Sequence, residues 1–252
     1  HDRSLLQPWW HHTYLLLPYC GYLGQNATVS AVNRATFTQS LSVSLPVGAY
    51  GIAFGAASVA AGFSVLQSCL ISLLTFSGAS QFALVGVMGS GGSALSATAT
   101  ASLLGTRNLL YGLQMAPVLR TRRFKKIVAA QLTIDESTGV AVSLEKSGPR
   151  AMAQGFWYTG IGVYIFWNLF TLIGALGAQS MGDPAAFGLD AAVPAAFLGL
   201  IWPRLTGRTE RALAVCALAL ALALTPYVPA GVPIISTAIL AVLFGLRGRV
   251  WR

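Results

Sequence analysis

The stretch that decides the fold runs from Phe37 to Leu119 and reads FTQSLSVSLPVGAYGIAFGAASVAAGFSVLQSCLISLLTFSGASQFALVGVMGSGGSALSATATASLLGTRNLLYGLQMAPVL. Its 83 positions hold a single charge, Arg107. A membrane-spanning helix needs about 20 apolar residues, so three spans are expected here, near 41–62, 65–88 and 94–119. Gly62-Phe63-Ser64 separates the first two, and Gly89-Ser90-Gly91-Gly92-Ser93 the second and third.

The same reading extends towards the C-terminus. After the basic loop Arg120 to Lys126 comes 127–144, which carries Asp135 and Glu136 at its midpoint. Residues 151–178 form a long aromatic span, and 187–203, 212–228 and 233–246 give three more. The fold class expected is therefore an all-α polytopic membrane protein of seven or eight transmembrane helices, one of them broken or re-entrant. Residues 37–252 form one transmembrane domain in this reading. Residues 1–36 differ: they lack an initiating Met and mix Pro, His and polar residues without a sustained apolar run. They read as a poorly ordered leader or a mis-assigned start, with an interfacial anchor on Trp9, Trp10 and Tyr14 as the alternative.

Composition supports the membrane reading from outside the spans. Of the 252 residues 55% are hydrophobic and 9% charged, and the mean hydropathy is +0.66. Soluble domains carry about 25% charged residues, so a soluble globule, a disordered chain and a disulfide scaffold are excluded. The net charge of +9 does not indicate nucleic acid, because its position is wrong for that. Thirteen of the sixteen basic residues lie in four short stretches, 120–126, 146–150, 204–211 and 247–252. Such loops stay cytoplasmic beside membrane helices and attract anionic headgroups of the lipid bilayer. The localisation expected is multi-pass within a membrane.

Topology contains one conflict. The loops 120–126 and 146–150 should both be cytoplasmic, yet 127–144 lies between them as a single segment. The conflict disappears if 127–144 enters the membrane and returns, or is interrupted near Asp135-Glu136-Ser137. Irregular backbone is tolerated at membrane depth where protein or water covers it. With every other segment crossing, this gives seven full spans and an external N-terminus, against which Arg34 argues.

Ionisable residues inside the membrane point to function, because each costs at least ~2.5 kcal/mol at a helix centre. Arg107, Asp135 and Glu136 qualify; Arg107 lies about twelve residues from the nearest basic loop. An internal ion pair between Arg107 and one acid is the structural reading. An Arg that receives a substrate carboxylate and an acid that carries a proton is the functional one, and the two are compatible. Phe76-Ser77-Gly78-Ala79-Ser80-Gln81-Phe82 adds hydroxyl and amide groups in mid-span, a binding site if the helix breaks at Gly78. Asn108 and Tyr111 follow Arg107, so Ser77, Gly78, Ser80, Gln81, Arg107, Asn108 and Tyr111 are the candidate substrate-binding residues. Asp135 and Glu136 are the candidate proton carriers. Gly51 and Gly55 read as helix packing, and Tyr158, Tyr164 and Trp167 as interface or packing aromatics. The three histidines lie at positions 1, 11 and 12, and the cysteines are scattered at 20, 69 and 216. Neither hydrolytic chemistry nor a metal site is expected. No glycine-rich loop ends in Lys-Ser or Lys-Thr, so neither ATP nor another cofactor is called for.

Five segments in order carry a resemblance: Leu45-Pro46-Val47-Gly48, Gly51-Ile52-Ala53-Phe54-Gly55, Phe76 to Phe82, Arg107-Asn108-Leu109-Leu110-Tyr111-Gly112 and Thr133-Ile134-Asp135-Glu136-Ser137. Together they resemble the AzlC family, the large subunit of bacterial branched-chain amino acid exporters, over about residues 37–246. The family often has Asn before an Arg-His pair where this chain has Thr106-Arg107-Asn108, and commonly joins Thr directly to Asp-Glu where Ile134 intervenes here. The resemblance implies a secondary transporter exporting valine, leucine, isoleucine or other hydrophobic amino acids. It also implies a small AzlD-type membrane subunit as partner. A passive channel and a non-transporting assembly subunit are the alternatives.

Overall fold

The computed structural model describes the backbone of residues 25–181, 192–202 and 205–250. Side chains are described from residue 33, except for several positions between 192 and 204 and beyond 246. Residues 1–24 and 187–191, on which parts of the expected leader and sixth span fall, lie outside the described residues. Every regular element among the described residues is helical. The elements are α1 (Gln25–Ala60), α2 (Val65–Leu74), α3 (Gly78–Gly89), α4 (Ala94–Leu119), α5 (Phe124–Gln131), α6 (Asp135–Ser143), α7 (Pro149–Ser180), α8 (Ala192–Ile201), α9 (Arg208–Leu224) and α10 (Val232–Val250). A 3-10 turn, Glu145–Ser147, joins α6 to α7. Helix α1 runs without interruption across position 36.

Two long helices form the spine. Asn33–Ala60 of α1 and Pro149–Ser180 of α7 are each long and apolar enough to cross a membrane. They pack parallel and backbone to backbone: Gly48 lies against Phe166, Gly51 against the Trp167 carbonyl, Gly55 against the Thr171 carbonyl, and Gly174 against that of Ile52. Small residues permit this approach, and close packing supplies the attraction in a medium as apolar as the side chains.

The chain then turns back on itself. Gly62 takes φ 92°, a left-handed conformation that glycine adopts without steric cost, and ends α1. Ser64 caps α2, its hydroxyl accepting from Gln67 N–H while the Gln67 side chain accepts from Ser64 N–H. Helix α2 stops after ten residues, about 15 Å of rise and too short to cross. Thr75 donates its hydroxyl to Ile71 O, Ser77 is extended at φ −159°, and α3 then runs back in the opposite direction to α2, packed on α4 and α1. The return is fixed by two contacts: Ser68 Oγ donates to Ser58 Oγ at 2.7 Å, and a Cβ on Gly89 would lie 2.8 Å from Ala61 Cβ. Both ends of the pair therefore sit beside the end of α1. The segment 65–88 is a re-entrant hairpin, which corrects the expectation of a full span.

The segment 127–144 behaves the same way from the other end. Helix α4 runs antiparallel to α7, so Leu119 and Pro149 lie on one side. Helix α5 enters from there and stops at Gln131. Thr133 Oγ1 donates to Ala129 O at 2.7 Å, and Ile134 is extended at φ −129°, ψ 171°. Helix α6 returns along α7, with Leu132 against Gly160 and Val140 and Leu144 against Gly155. Two interrupted segments are therefore present where one was expected. Arg120 to Lys126 and Lys146 to Arg150 now share a side, as the charge pattern required. With 65–88 no longer a crossing, the Asn33 end of the α1 span lies on that side too, opposite to where the expected count of crossings placed it.

This topology is directly testable by labelling. In a chain with Cys20, Cys69 and Cys216 replaced, single cysteines at Ser64 and Ser90 should react with an impermeant maleimide from one side. Cysteines at Thr121 and Ser147 should react from the other. Labelling of Ser64 and Ser90 from opposite sides would restore the full span.

Candidate functional site

The hairpins enter from opposite sides and touch at their tips. A half-helix that ends in the membrane leaves its last carbonyls without intrahelical partners, and water is not there to serve them. Side chains supply the missing donors at the end of α2. Gln81 Nε2 donates to Thr75 O at 2.9 Å and Ser72 O at 3.3 Å. From the opposite hairpin Gln131 Nε2 donates to Leu73 O at 2.9 Å, and from α7 Tyr164 OH donates to the same oxygen at 3.2 Å. Ser137 closes the α5–α6 tip, accepting from Ile134 N–H at 3.1 Å and donating to Leu132 O at 2.7 Å. The two tips share a local pattern, Leu74-Thr75-Phe76-Ser77 and Leu132-Thr133-Ile134-Asp135. In each, Thr ends a half-helix by bonding four residues back, and the next, apolar residue is buried.

The tips differ in charge. The first turn of α3 carries no acid, and its N-cap Ser77 gives no side-chain cap; its hydroxyl accepts instead from Ser80 Oγ at 3.2 Å. The leading N–H groups and the positive end of the helix dipole thus face the tip uncompensated by a carboxylate. Helix α6 begins with Asp135 and Glu136 in its first turn. Alongside both tips runs α4: Gly105 packs against Ser80, 3.3 Å from a Cβ built there. Two residues on, Arg107 Nη2 meets Asp135 Oδ1 at 3.3 Å. The ion pair expected from the sequence is present, with Asp135 as its acid. It is not sealed: the Arg107 and Asp135 side chains are 32% and 25% exposed. Arg107 Nε, in contrast, is buried without a partner among the described residues.

The sequence candidates gather here in part. Ser77, Gly78, Ser80, Arg107, Asp135 and Glu136 cluster at the tips. Asn108 adds a buried carbonyl oxygen, Oδ1, with no hydrogen-bond partner among the described residues, and Tyr111 stands half-buried one turn further along α4. Gln81 is also present, but both its amide hydrogens and its oxygen are engaged by protein. Gln131, which the sequence reading did not single out, serves the tips together with Tyr164 and Trp167, which it read as interface or packing aromatics. A groove of about 250 Å³ between α1 and α7, lined by Phe37, Ser40, Tyr158 and Ile165 among others, holds none of these residues.

The fold and this site define an all-helical membrane protein organised around two opposed interrupted segments. Residues 42–181, which contain both hairpins, match the family model described as AzlC protein. The chain belongs to the AzlC family. It is 28% identical over 186 residues to the inner membrane protein YgaZ of Escherichia coli K12, covering 68% of this chain and 74% of that one. It is 35% identical over 189 residues to an uncharacterized membrane protein of Archaeoglobus fulgidus, covering 73% and 82%. No solved structure matches the chain.

Proposed function

We propose that this chain is a secondary transporter that exports branched-chain or other hydrophobic amino acids across a bacterial inner membrane. The observation that carries the reading is the meeting of two tips of opposite charge around a half-exposed Arg107–Asp135 pair. A zwitterion entering a membrane must replace its hydration by hydrogen bonds and opposite charges. The carboxylate fits the uncapped first turn of α3, with Ser77, Gly78 and Ser80, and the free donors of Arg107. The ammonium group fits Asp135 and Glu136, with Asn108 Oδ1 and Tyr111 as further polar groups. Broken helices from opposite sides are how other transporters build binding sites at the membrane midplane.

Family membership supports the small AzlD-type subunit as partner. The basic side is cytoplasmic by the distribution of Lys and Arg. Helices α9 and α10 meet at Ala230, whose carbonyl accepts from Ser96 Oγ at 2.6 Å on the opposite side. Their lengths of ~25 and ~28 Å then return Arg208 and the C-terminal basic residues to the basic side. In this topology α1, α4, α7, α9 and α10 cross, α8 lies on the return from α7 to α9, and the two hairpins do not cross.

Coupling follows from competition for Arg107. A bound carboxylate takes the guanidinium from Asp135, and the released acid, beside Glu136, accepts a proton on one side and gives it up on the other. The test is leucine transport in vesicles containing the chain with its small subunit. Exchange of labelled for unlabelled leucine separates a carrier from a passive channel, which shows no trans-stimulation. Asp135→Asn and Glu136→Gln should each weaken leucine exchange by removing a partner of the ammonium group, and should lose in addition the leucine movement driven by a pH gradient. Full gradient-driven movement in both variants would reduce the acids to a packing device.

A further inference from the structure

The side chain that joins the α2–α3 hairpin to the spine is Trp167. It is 6% exposed, and its indole N–H donates to Gln81 Oε1 at 2.9 Å. Its ring fills the space beneath the first turn of α3: a Cβ on Gly78 would lie 3.1 Å from Trp167 Cη2. Phe82 meets the indole edge-on at 6.4 Å, and Phe54 of α1 lies nearly parallel to it at 6.3 Å. The Trp167 carbonyl is pressed against Gly51 in the α1–α7 seam. Gln81, fully buried, passes the connection on by binding Thr75 O and Ser72 O at the tip. With two N–H groups and its oxygen engaged, it retains no hydrogen for a ligand.

We propose that Trp167 and Gln81 are positioning residues that set the height and direction of the first turn of α3 without touching the substrate, and so fix its affinity for a carboxylate. This rests on the transport reading above. The physical reason is that an anion bound by leading N–H groups depends on their alignment, and alignment is lost over distances small against a hydrogen bond. Removing the indole N–H leaves Gln81 Oε1 without its donor and frees the tip to slide on the seam. The acidic tip on α6 has its own anchors, Ser137 on Leu132 O and Gly160 of α7; it meets the end of α2 through Gln131, which lies on α5, and Asp135 and Glu136 are left in place.

The experiment compares two ligands on the complete transporter in vesicles. Leucine engages both tips; 3-methylbutylamine, which lacks the carboxylate, engages the acidic tip and is used as a competitor. Trp167→Phe keeps a ring and removes the donor. It should raise KM for leucine about tenfold, the upper end of what one neutral hydrogen bond contributes, with maximal rate and inhibition by the amine unchanged. Gln81→Met should act in the same direction. A role in stability alone would lower the amount of active protein and move both ligands together, and that result overturns the proposal. If Trp167→Phe does not insert, Gln81→Glu, which keeps the acceptor and loses the amide hydrogens, reads the same ratio. Absence of leucine exchange in the parent protein would overturn the transport reading and take this proposal with it. Exchange in the parent with an unshifted leucine KM in the variants would overturn the positioning role alone.

Discussion

Replacing Arg107 by Gln is expected to lower leucine exchange roughly 100-fold at subsaturating substrate, the scale of losing charge-assisted hydrogen bonds to a carboxylate. The guanidinium stands where the uncapped turn of α3 and the acids of α6 converge, and its Nη2 holds Asp135 at 3.3 Å. Gln retains a polar group but neither the charge nor the fork that binds a carboxylate through two parallel bonds. Its loss has a second consequence, because Asp135 then faces the membrane interior without its cation. The two effects separate in the double variant Arg107→Gln, Asp135→Asn. That protein should recover the yield of inserted chain, since position 135 no longer carries a charge that has lost its cation, yet should not recover exchange. Exchange at the parent level in the double variant would show that the pair only joins α4 to α6.

The parts of this arrangement that were legible in sequence are those that break hydropathy. Asp135-Glu136 interrupts an otherwise apolar segment, and the basic loops on either side of it required a return; α5 and α6 supply one. The interruption at Thr75-Phe76-Ser77 has no charge, so 65–88 reads as a full span with a possible break at Gly78 and not as a segment that returns to the side it entered from. Its cause is local hydroxyl chemistry, Thr75 bonding back to Ile71 O and Ser77 extended. The donors that make the break tolerable lie far away in the chain. Gln131 is 58 residues from Leu73, Tyr164 is 91 residues from it, and Trp167 is 86 residues from Gln81. No spacing rule reaches across such separations. Gln81 shows the opposite effect: its polarity at membrane depth was visible, but its partners, which make it a brace, were not. Leu-Thr stands at both tips, at 74–75 and 132–133, but recurs at 205–206 and 224–225, so the dipeptide alone marks neither.

Gly55→Ala is expected to be, with Gly174→Ala, among the most destabilising single methyls added to this chain. Gly55 faces the Thr171 carbonyl and the Ala175 nitrogen across the α1–α7 seam, and the space for a Cβ is already occupied by backbone. Side chains can rotate away from an added methyl; backbone in a regular helix cannot, so the two helices must separate along their length. Alanine gains about 1 kcal/mol over glycine in a helix interior, whereas overpacking of this kind costs about 1–3 kcal/mol and occasionally more. With carbonyl oxygen as the obstacle the upper end applies, and the balance is a net loss of ~2 kcal/mol. For a chain of this size that is a Tm lower by roughly 4–8 °C, measured by thermal unfolding in detergent. Gly112, Gly139 and Gly177 are the controls, because a Cβ at each meets nothing within 4 Å, and alanine there should leave Tm unchanged or raise it. The seam also carries Trp167, whose carbonyl lies against Gly51 one turn away from Gly55. Prying the helices apart therefore tilts the indole beneath Gly78, and surviving Gly55→Ala protein should show a raised leucine KM as well as a lowered Tm. An unchanged Tm would mean that α1 and α7 are not joined backbone to backbone, and the spine that positions both tips would have to be sought elsewhere.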